Sequence, residues 1–334
     1  MEDLLTEALR EKTVTEIARS LSLCTGTVRR WLELKSVPSQ YRFDLLKLLG
    51  RGINYQNFSS KEKDQFFTPK DLALHCWQVF HELIDSTGYT FIEPSAGDGS
   101  FVKLLPPGSI AMDIEPRYEG VILQDYLTWE PPTGKYIVFG NPPFGLRGNL
   151  ALQFMNHSAR FSDYVCFILP QLFESDGKGS PRKRVEGLNL IHSENISAMF
   201  YTPEKENVKV NGVFQIWSKH SNNAEYTIYT PSLNSPLRVY SLSNGGTVAS
   251  TRNKDMIGHC DIYIPSTCFG RETMRVYETF EELPNGKGYG IVFHENKQTM
   301  MEKARSIDWS NIAFLSTNSA FNLRTSLIHA QFDS

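Results

Sequence analysis

The stretch Phe91-Ile-Glu-Pro-Ser-Ala-Gly-Asp-Gly-Ser-Phe101 has the residue types of a strand that enters a glycine turn and continues into a helix. Gly97 and Gly99 carry no Cβ, so the main chain can come close to a bound ligand there. In a doubly wound sheet such a turn lies at the carboxyl end of the first strand, where these sheets bind ligands. Position 102 is Val, so the three-glycine dinucleotide fingerprint is absent. The turn therefore predicts a ligand site and weakens the case for NAD.

An acid and a proline, Glu93 and Pro94, stand directly before this turn. The combination resembles the cofactor loop of S-adenosylmethionine-dependent methyltransferases, in which an acidic residue faces the cationic methionine end of the cofactor. The resemblance implies that S-adenosyl-L-methionine is the cofactor and that it contacts Glu93, Pro94, Ser95, Ala96, Gly97 and Gly99.

Acidic residues also end the next two predicted strands. The resemblance implies that Asp113 binds both ribose hydroxyls with its two carboxylate oxygens, with Ile114 beside it. It also implies that Asp125 accepts the adenine amino group while Tyr126 lies against the adenine ring. Each acid alone could instead cap a helix or lie in a solvated turn. Three acids at successive strand ends, after a Gly-x-Gly turn, favour the cofactor site.

The segment Phe67-Thr68-Pro69 precedes a predicted amphipathic helix. In amino-methyltransferases with the same motif order, a similar segment lies over the methionine part of the cofactor. The same residues are compatible with a simple helix entry that has Pro69 near its first turn.

The tetrapeptide Asn141-Pro-Pro-Phe144 follows a predicted apolar strand and resembles the signature of methyltransferases that act on a nitrogen conjugated to a π-system. Such a nitrogen is a poor nucleophile because its lone pair is delocalised. The Asn141 side-chain oxygen and the Pro142 carbonyl can each accept one N–H bond and free the lone pair. Pro142 and Pro143 restrict the main chain and keep the two acceptors in place. Phe144 offers a face for the target base.

The tetrapeptide is shared by DNA adenine-N6, some ribosomal-RNA and some protein-glutamine methyltransferases. Three features favour adenine in duplex DNA: the early Phe-Thr-Pro segment, as in the gamma motif order; the residues 221–334 available as a target recognition domain; and a predicted DNA-binding unit at the N-terminus. The target adenine would have to be flipped out of the duplex to reach Asn141. The alternatives are an RNA (or other amino or amide nitrogen) methyltransferase, and a DNA-binding regulator with an inactive methyltransferase fold.

Residues 1–51 are expected to form short helices. Ile17, Ala18, Leu21 and Leu23 share one face of a helix that Thr15 could cap, and a second helix resumes after a tight turn. The pair resembles a helix-turn-helix, whose second helix would present Thr25, Thr27, Arg29 and Arg30 to DNA. A helical hairpin that only packs on its neighbour remains the alternative. With few charges, one copy would bind weakly, so operator binding would need a homodimer.

The elements that must position these residues alternate between strand and helix. Strands are predicted at residues 89–93, 109–113, 121–124, 136–140 and 164–169, and helices at 71–85, 100–105 and 149–161. This alternation predicts an α/β, Rossmann-like, largely parallel sheet over residues 65–220, which the resemblance makes the methyltransferase catalytic domain. Strands near 196–201 and 210–218 should close it as an antiparallel hairpin. A linker at 52–64 precedes the sheet, and an α+β C-terminal domain at 221–334 follows it.

Composition excludes several classes of protein. The chain has 334 residues, 40% of them hydrophobic and 21% charged, with a net charge of −3, so wholesale disorder is excluded. No apolar run approaches the roughly 20 residues that span a bilayer, and the start of the chain lacks a signal-peptide core. Five scattered cysteines predict reduced thiols in a cytoplasmic protein. No metal is expected.

A basic run follows the fifth predicted strand of the catalytic sheet. Contact with DNA phosphates and a solvated surface loop both fit it. The predicted partners are double-stranded DNA and, for a restriction–modification pair, a cognate restriction endonuclease. The basic residues of the run are Lys178, Arg182, Lys183 and Arg184.

Overall fold

The computed structural model describes residues 2–21, 23, 25–38, 41–51, 59, 63, 65–145, 148–175, 180–220, 235–244, 251–315 and 320–333. Lys178 and most of the predicted linker 52–64 lie outside these residues.

The N-terminal unit consists of four short helices with their own apolar core. They are α1 (Glu2–Glu11), α2 (Val14–Ser20), α3 (Thr25–Glu33) and α4 (Arg42–Leu48). Leu5, Ile17, Val28, Trp31 and Leu45 are among the side chains buried in that core. The prediction that Thr15 caps α2 is wrong. Thr13 is the cap, because its hydroxyl accepts from the Glu16 N–H while the Glu16 carboxylate accepts from the Thr13 N–H.

The central region carries the predicted α/β sheet. Its elements in chain order are α5 (Lys70–Leu83), β1 (Thr90–Glu93), β2 (Ile110–Asp113), β3 (Ile122–Leu123), β4 (Tyr136–Gly140), α6 (Asn149–Ser158), β5 (Tyr164–Pro170), β6 (Asn189–Tyr201) and β7 (Asn207–Ser218). Each predicted strand and two of the three predicted helices are confirmed within a few residues. The helix predicted at 100–105 is wrong, because Pro106 and Pro107 follow at once and the segment forms only turns.

The strand order in this sheet is β3-β2-β1-β4-β5-β7-β6. The first five strands are parallel, whereas β7 is antiparallel to both β5 and β6. The fold is therefore mixed α/β with a mainly parallel central sheet, and the predicted terminal hairpin is confirmed. In parallel strands the carboxyl ends share one edge, so Glu93, Asp113 and Asn141 come out together.

Two apolar layers enclose this sheet. On one face Ala73, Cys76 and Phe80 of α5 pack against side chains of β1, β4 and β7. On the other face Leu152 and Met155 of α6 pack against the same strands. Because β4 is buried at every position, it reads as a continuous apolar run rather than an alternating one.

The C-terminal region is α+β, in agreement with the sequence. Its strands form a four-stranded sheet of order β10-β12-β8-β9 and a three-stranded sheet of order β11-β14-β13. Here β8 is Leu237–Asn244, β9 Thr251–Arg252, β10 Ile262–Pro265, β11 Thr267–Phe269, β12 Lys287–Phe293, α7 Lys297–Ser306, α8 Trp309–Ile312, β13 Phe314–Leu315, β14 Ala320–Asn322 and α9 Thr325–Ala330. The Leu315 N–H donates to the Gln171 amide oxygen at 3.0 Å, which joins this region to the end of β5.

Candidate active site

The glycine turn lies at the carboxyl end of β1, as predicted. Gly97 has a φ of +52°, and a Cβ built on it would lie 2.9 Å from Cδ1 of the Phe67 ring. Its N–H donates to Asp113 Oδ2 at 2.8 Å, which ties the turn to the end of β2. The positive φ and the close ring both require glycine at this position.

Glu93 ends β1 as a deeply buried acid. Its carboxyl group is only 1% exposed, and Oε2 has no hydrogen-bond partner among the described residues. Burial raises the pKa of Glu93 well above its ordinary value, and the charges of Asp113 and Asp98 raise it further. A buried carboxyl without a donor is costly in free energy. Glu93 therefore presents an acceptor suited to a ligand that brings an N–H donor or a positive charge.

The Glu93 carboxyl lies against the main chain of the neighbouring strand. A Cβ built on Gly140 would lie 2.5 Å from Glu93 Oε1, so only glycine leaves room for the acid. Sequence reasoning missed this role of Gly140. The signal was a glycine in the last position of an otherwise apolar strand, which often marks close approach of another group.

The acids of the next two strands are already bonded to main-chain donors. Asp113 Oδ2 accepts from Gly97 N–H, and Oδ1 accepts from Glu115 N–H at 2.7 Å. Burial raises the pKa of Asp113, and these two bonds oppose that rise. Asp125 caps a 3₁₀ turn by accepting from Leu127 N–H at 3.0 Å. Ile114, beside Asp113, is 40% exposed and offers an apolar face at the same edge.

Tyr126 does not face this edge, so the prediction that its ring lies against adenine is wrong. The side chain is 1% exposed, and its ring stacks on Phe154 of α6 at 5.3 Å between centroids. The Tyr126 hydroxyl lies 2.6 Å from Ser158 Oγ. The 3₁₀ turn that follows Asp125 directs this side chain into the apolar layer under α6.

Asn141 follows β4 and is hydrogen-bonded through both its side chain and its main chain. Nδ2 donates to the Phe66 carbonyl at 3.2 Å, and the Asn141 carbonyl accepts from Ser95 Oγ at 3.1 Å. Because the amide nitrogen is bonded, Oδ1 is the remaining group, and it is buried without a partner among the described residues. The tetrapeptide thus presents an acceptor next to the buried acid of β1.

The rest of the tetrapeptide lines the same edge. Pro142 is buried, and Pro143 and Phe144 are half-buried. The Phe144 ring packs on the α5 side of the sheet, and its carbonyl accepts from Ala151 N–H at 3.2 Å.

The Phe67 segment (residues 65–69) lies against the glycine turn, and its contact with the methionine part of the cofactor stays a prediction. Phe67 and Thr68 are buried, and Pro69 is the N-cap of α5, so the simple helix entry also holds. The Phe66 carbonyl is bound by Asn141, a contact that sequence reasoning missed. The segment thereby connects the glycine turn with the end of β4.

The predicted DNA-binding residues lie in two other places. Thr25 and Thr27 are half-exposed on α3, and Arg29 and Arg30 of that helix are exposed. The described part of the basic run forms a short 3₁₀ turn, Pro181–Arg184. In that turn Lys183 and Arg184 are exposed and Arg182 is half-exposed.

The described residues include no group of three or more His, Cys, Asp and Glu residues arranged to hold a metal ion. Among the same residues, no helix has the length and apolar character that crossing a membrane requires. The described cysteines Cys76, Cys166, Cys260 and Cys268 are free thiols.

Comparison with known proteins gave one curated relative. No protein-family model matches the chain. A type II methyltransferase, M.CvrRI, of Paramecium bursaria Chlorella virus XZ-6E is 30% identical over 110 residues. The match spans 28% of this chain and 28% of that relative, so it covers only a minor part of either protein.

Solved structures resemble the chain more weakly. A Pyrococcus horikoshii protein provisionally named an RNA methyltransferase is 17% identical, with 55% of this chain and 99% of that chain covered and a TM-score of 0.38. The methyltransferase subunit of a type I restriction-modification system from Streptococcus thermophilus is 16% identical, with 60% and 54% covered and a TM-score of 0.35. At these values neither structure supports an inference about activity or substrate.

Proposed function

We propose that this protein is an S-adenosylmethionine-dependent methyltransferase that methylates the N6 amino group of adenine in duplex DNA. One observation carries the proposal. The ends of two neighbouring strands, β1 and β4, carry buried acceptors without partners among the described residues, Glu93 Oε2 and Asn141 Oδ1. An acid and an amide placed in this way suit a cationic ligand and an amino group, respectively.

The residues present fit the cofactor. Gly97 leaves the turn open to close approach, and Glu93 offers a buried acid for the methionine end. Asp113 and Asp125 each keep acceptor capacity for the ribose and the adenine amino group, and Ile114 offers an apolar contact for the ring. Bound there, S-adenosylmethionine supplies an electrophilic methyl group on a sulfonium.

The chain's own residues would prepare the amine. Asn141 Oδ1 and the Pro142 carbonyl would each accept a hydrogen bond from one N–H of the amino group. These two hydrogen bonds would localise the nitrogen lone pair for attack on the methyl group. The bond from Asn141 Nδ2 to the Phe66 carbonyl orients the side-chain amide, and the bond from Ser95 Oγ holds the Asn141 main chain, so the acceptor is in place before any substrate arrives. Phe144 would stack on the flipped base.

A polar cleft between the catalytic sheet and the C-terminal region supports nucleic acid as the substrate. It has a volume of about 350 Å³ and lies between the β6–β7 hairpin, the end of β5 and the C-terminal region. The described residues that line it include no Asp or Glu. Arg271 is already paired with the Asp308 carboxylate at 2.5 Å, so Lys209 and the amide side chains are the groups that suit phosphates and base edges. Its polar side chains are Gln171, Lys209, Asn211, Arg271 and Asn311, with hydroxyls from Ser197 and Ser310.

The relative of the Chlorella virus is named a type II methyltransferase, which supports a restriction–modification role with a cognate endonuclease. We assign residues 221–334 to target recognition and residues 1–51 to a helix-turn-helix that holds the enzyme on DNA or binds an operator as a homodimer. The exposed Arg29 and Arg30 of α3 support contact with phosphates.

The test is methyl transfer from labelled cofactor to duplex DNA and, in parallel, to structured RNA, followed by nucleoside analysis. We expect N6-methyladenine in DNA alone, at one sequence. Methylation confined to RNA would identify RNA, instead of duplex DNA, as the substrate. Cofactor binding without transfer to any nucleic acid would favour the regulator with an inactive fold. Failure of the protein to bind the cofactor would contradict the proposal as a whole.

A further inference from the structure

The Phe67 segment is held by three parts of the chain that are remote in sequence. Asn141 binds the Phe66 carbonyl, and Ser100 Oγ lies 2.8 Å from the Thr68 carbonyl. The third contact comes from Tyr201, the last residue of β6, which forms an isolated antiparallel bridge with Phe67. Phe67 N–H donates to the Tyr201 carbonyl at 2.8 Å, and Tyr201 N–H donates to the Phe67 carbonyl at 3.3 Å.

The side chain of Tyr201 makes a second connection, to the glycine turn itself. Its hydroxyl donates to Asp98 Oδ2 at 2.5 Å, and Asp98 stands between Gly97 and Gly99. Burial raises the pKa of Tyr201, and the bond to Asp98 raises it further, so the hydroxyl keeps its proton at neutral pH. The Tyr201 ring also meets the Phe67 ring edge to face, with 5.7 Å between centroids.

Tyr201 thus contacts both the Phe67 segment and the glycine turn that follows Glu93. The main chain of Tyr201 positions the Phe67 segment, and its hydroxyl positions the turn below that segment. The hairpin that carries Tyr201 is itself anchored, because β7 is hydrogen-bonded to β5 over seven residue pairs from Tyr164 to Pro170. These pairs hold the base of the hairpin, opposite residues 189–196 of β6, and Tyr201 lies five residues beyond them.

We propose that Tyr201 is a positioning residue for the cofactor, acting through its hydroxyl bond to Asp98 and its main-chain bridge to Phe67. This inference rests on the proposed function. Tyr201 stays outside the reacting atoms: it sets the distance between the glycine turn and the Phe67 segment before the cofactor binds. Its contribution therefore belongs to cofactor affinity and leaves the rate at saturation unchanged.

The variant that tests this is Tyr201→Phe, which removes the hydroxyl and keeps the ring packing and the main-chain bridge. The dissociation constant of S-adenosylmethionine, measured by calorimetry, should rise about tenfold, the equivalent of one hydrogen bond to an ionised group. The KM for the cofactor should rise in parallel, while kcat at saturating cofactor stays within about twofold.

Tyr136→Phe is the matched control. Tyr136 lies at the start of β4, away from the carboxyl edge; it is buried, and its hydroxyl donates to the Pro132 carbonyl at 2.9 Å. The Tyr136→Phe variant loses one hydroxyl hydrogen bond of ordinary length far from the cofactor site. It therefore shows how the loss of such a bond affects stability alone. Its cofactor affinity should equal that of the wild-type protein.

A double-variant cycle identifies the partner of the hydroxyl. Asp98→Asn should weaken cofactor binding on its own, and adding Tyr201→Phe to it should cause little further loss, because the bond is already impaired. Fully additive losses would overturn the role of the Tyr201–Asp98 bond.

The remaining outcomes separate this inference from the function on which it rests. Equal dissociation constants for the wild-type protein and Tyr201→Phe would overturn the inference alone. A fall in kcat with an unchanged KM would also overturn it, because Tyr201 would then act in the chemical step. Absence of cofactor binding by the wild-type protein would overturn the proposed function and this inference together.

Discussion

Two sets of buried polar groups lie at the central sheet and differ in whether they have hydrogen-bond partners. Under α6, Tyr126 donates to Ser158 Oγ, which in turn donates to the Phe154 carbonyl at 2.7 Å. His157 Nε2 in the same helix lies 2.7 Å from the Trp129 carbonyl. At the carboxyl edge, Glu93 Oε2 and Asn141 Oδ1 are equally buried and have no partner among the described residues.

The difference separates structural polar groups from functional ones. Buried polar atoms in folded proteins nearly always have partners, so a satisfied chain such as that under α6 only stabilises the fold. The acceptors at the carboxyl edge cost stability unless a ligand supplies the missing donors. Substitutions at the edge should therefore change binding and rate, whereas substitutions under α6 should change only stability.

The largest effect is expected from Asn141→Ala. Loss of one pre-organised acceptor should lower the methylation rate about 10²–10³-fold. Cofactor affinity should fall by no more than about tenfold, through loss of the bond to the Phe66 carbonyl. Single-turnover assays and calorimetry measure the two quantities. Asn195→Ala, at an exposed position of β6, is the control. A rate within a few-fold of the wild type would contradict amine binding by Asn141.

Glu93→Gln should affect binding and stability in opposite directions. Losing the charge should weaken cofactor binding about 10- to 100-fold. The pKa of Glu93 is raised above its ordinary 4.5 by burial and by Asp113 and Asp98. The folded protein therefore retains a proton that the unfolded chain has lost, and stability falls as pH rises from the unfolded value through the folded one.

The Glu93→Gln variant has no carboxyl group and so does not lose stability as the pH rises. Without ligand it should therefore melt at a higher temperature than the wild type at neutral pH and at the same temperature in acid. Melting curves across pH test this expectation, with Glu119→Gln at an exposed position as the control. A melting-temperature difference that does not change with pH would rule out the buried charge as its cause.

Tyr126→Phe should show the reverse pattern. Removing a satisfied buried hydroxyl should lower the free energy of unfolding by about 1 kcal/mol, because Ser158 keeps its bond to Phe154. Cofactor affinity should not change, since the ring faces α6. Denaturant unfolding measures the free energy of unfolding, and calorimetry measures the cofactor affinity. A weaker affinity without a stability change would return Tyr126 to the cofactor site.

The smallest effect is expected in the polar cleft. Lys209→Ala should weaken duplex DNA binding a few-fold and reduce the slope of log affinity against log salt by about 0.9, as for one lost phosphate contact. Lys219→Ala, at the opposite end of β7, is the matched control and should change neither quantity. Equal effects of the two variants would exclude a specific contact of Lys209 with DNA.

The sequence predicts the residues that end strands better than the directions of their side chains. Glu93, Asp113 and Asn141 could be placed at one edge because parallel strands share it. The direction of the Tyr126 side chain could not be predicted, because the 3₁₀ turn after Asp125 determines it. The role of Tyr201 was also out of reach, since its hydrogen-bond partner Asp98 lies 103 residues away. Local spacing does not report contacts of that length.

This long separation has a consequence for the order in which the protein folds. Closing a loop of such length costs conformational entropy that local turns and hairpins do not, so the contact between Tyr201 and Asp98 should form late. During synthesis the glycine turn leaves the ribosome long before β6 exists to support it. A nascent chain would then acquire affinity for its cofactor only once the hairpin has joined the sheet, and cofactor binding would report completed folding.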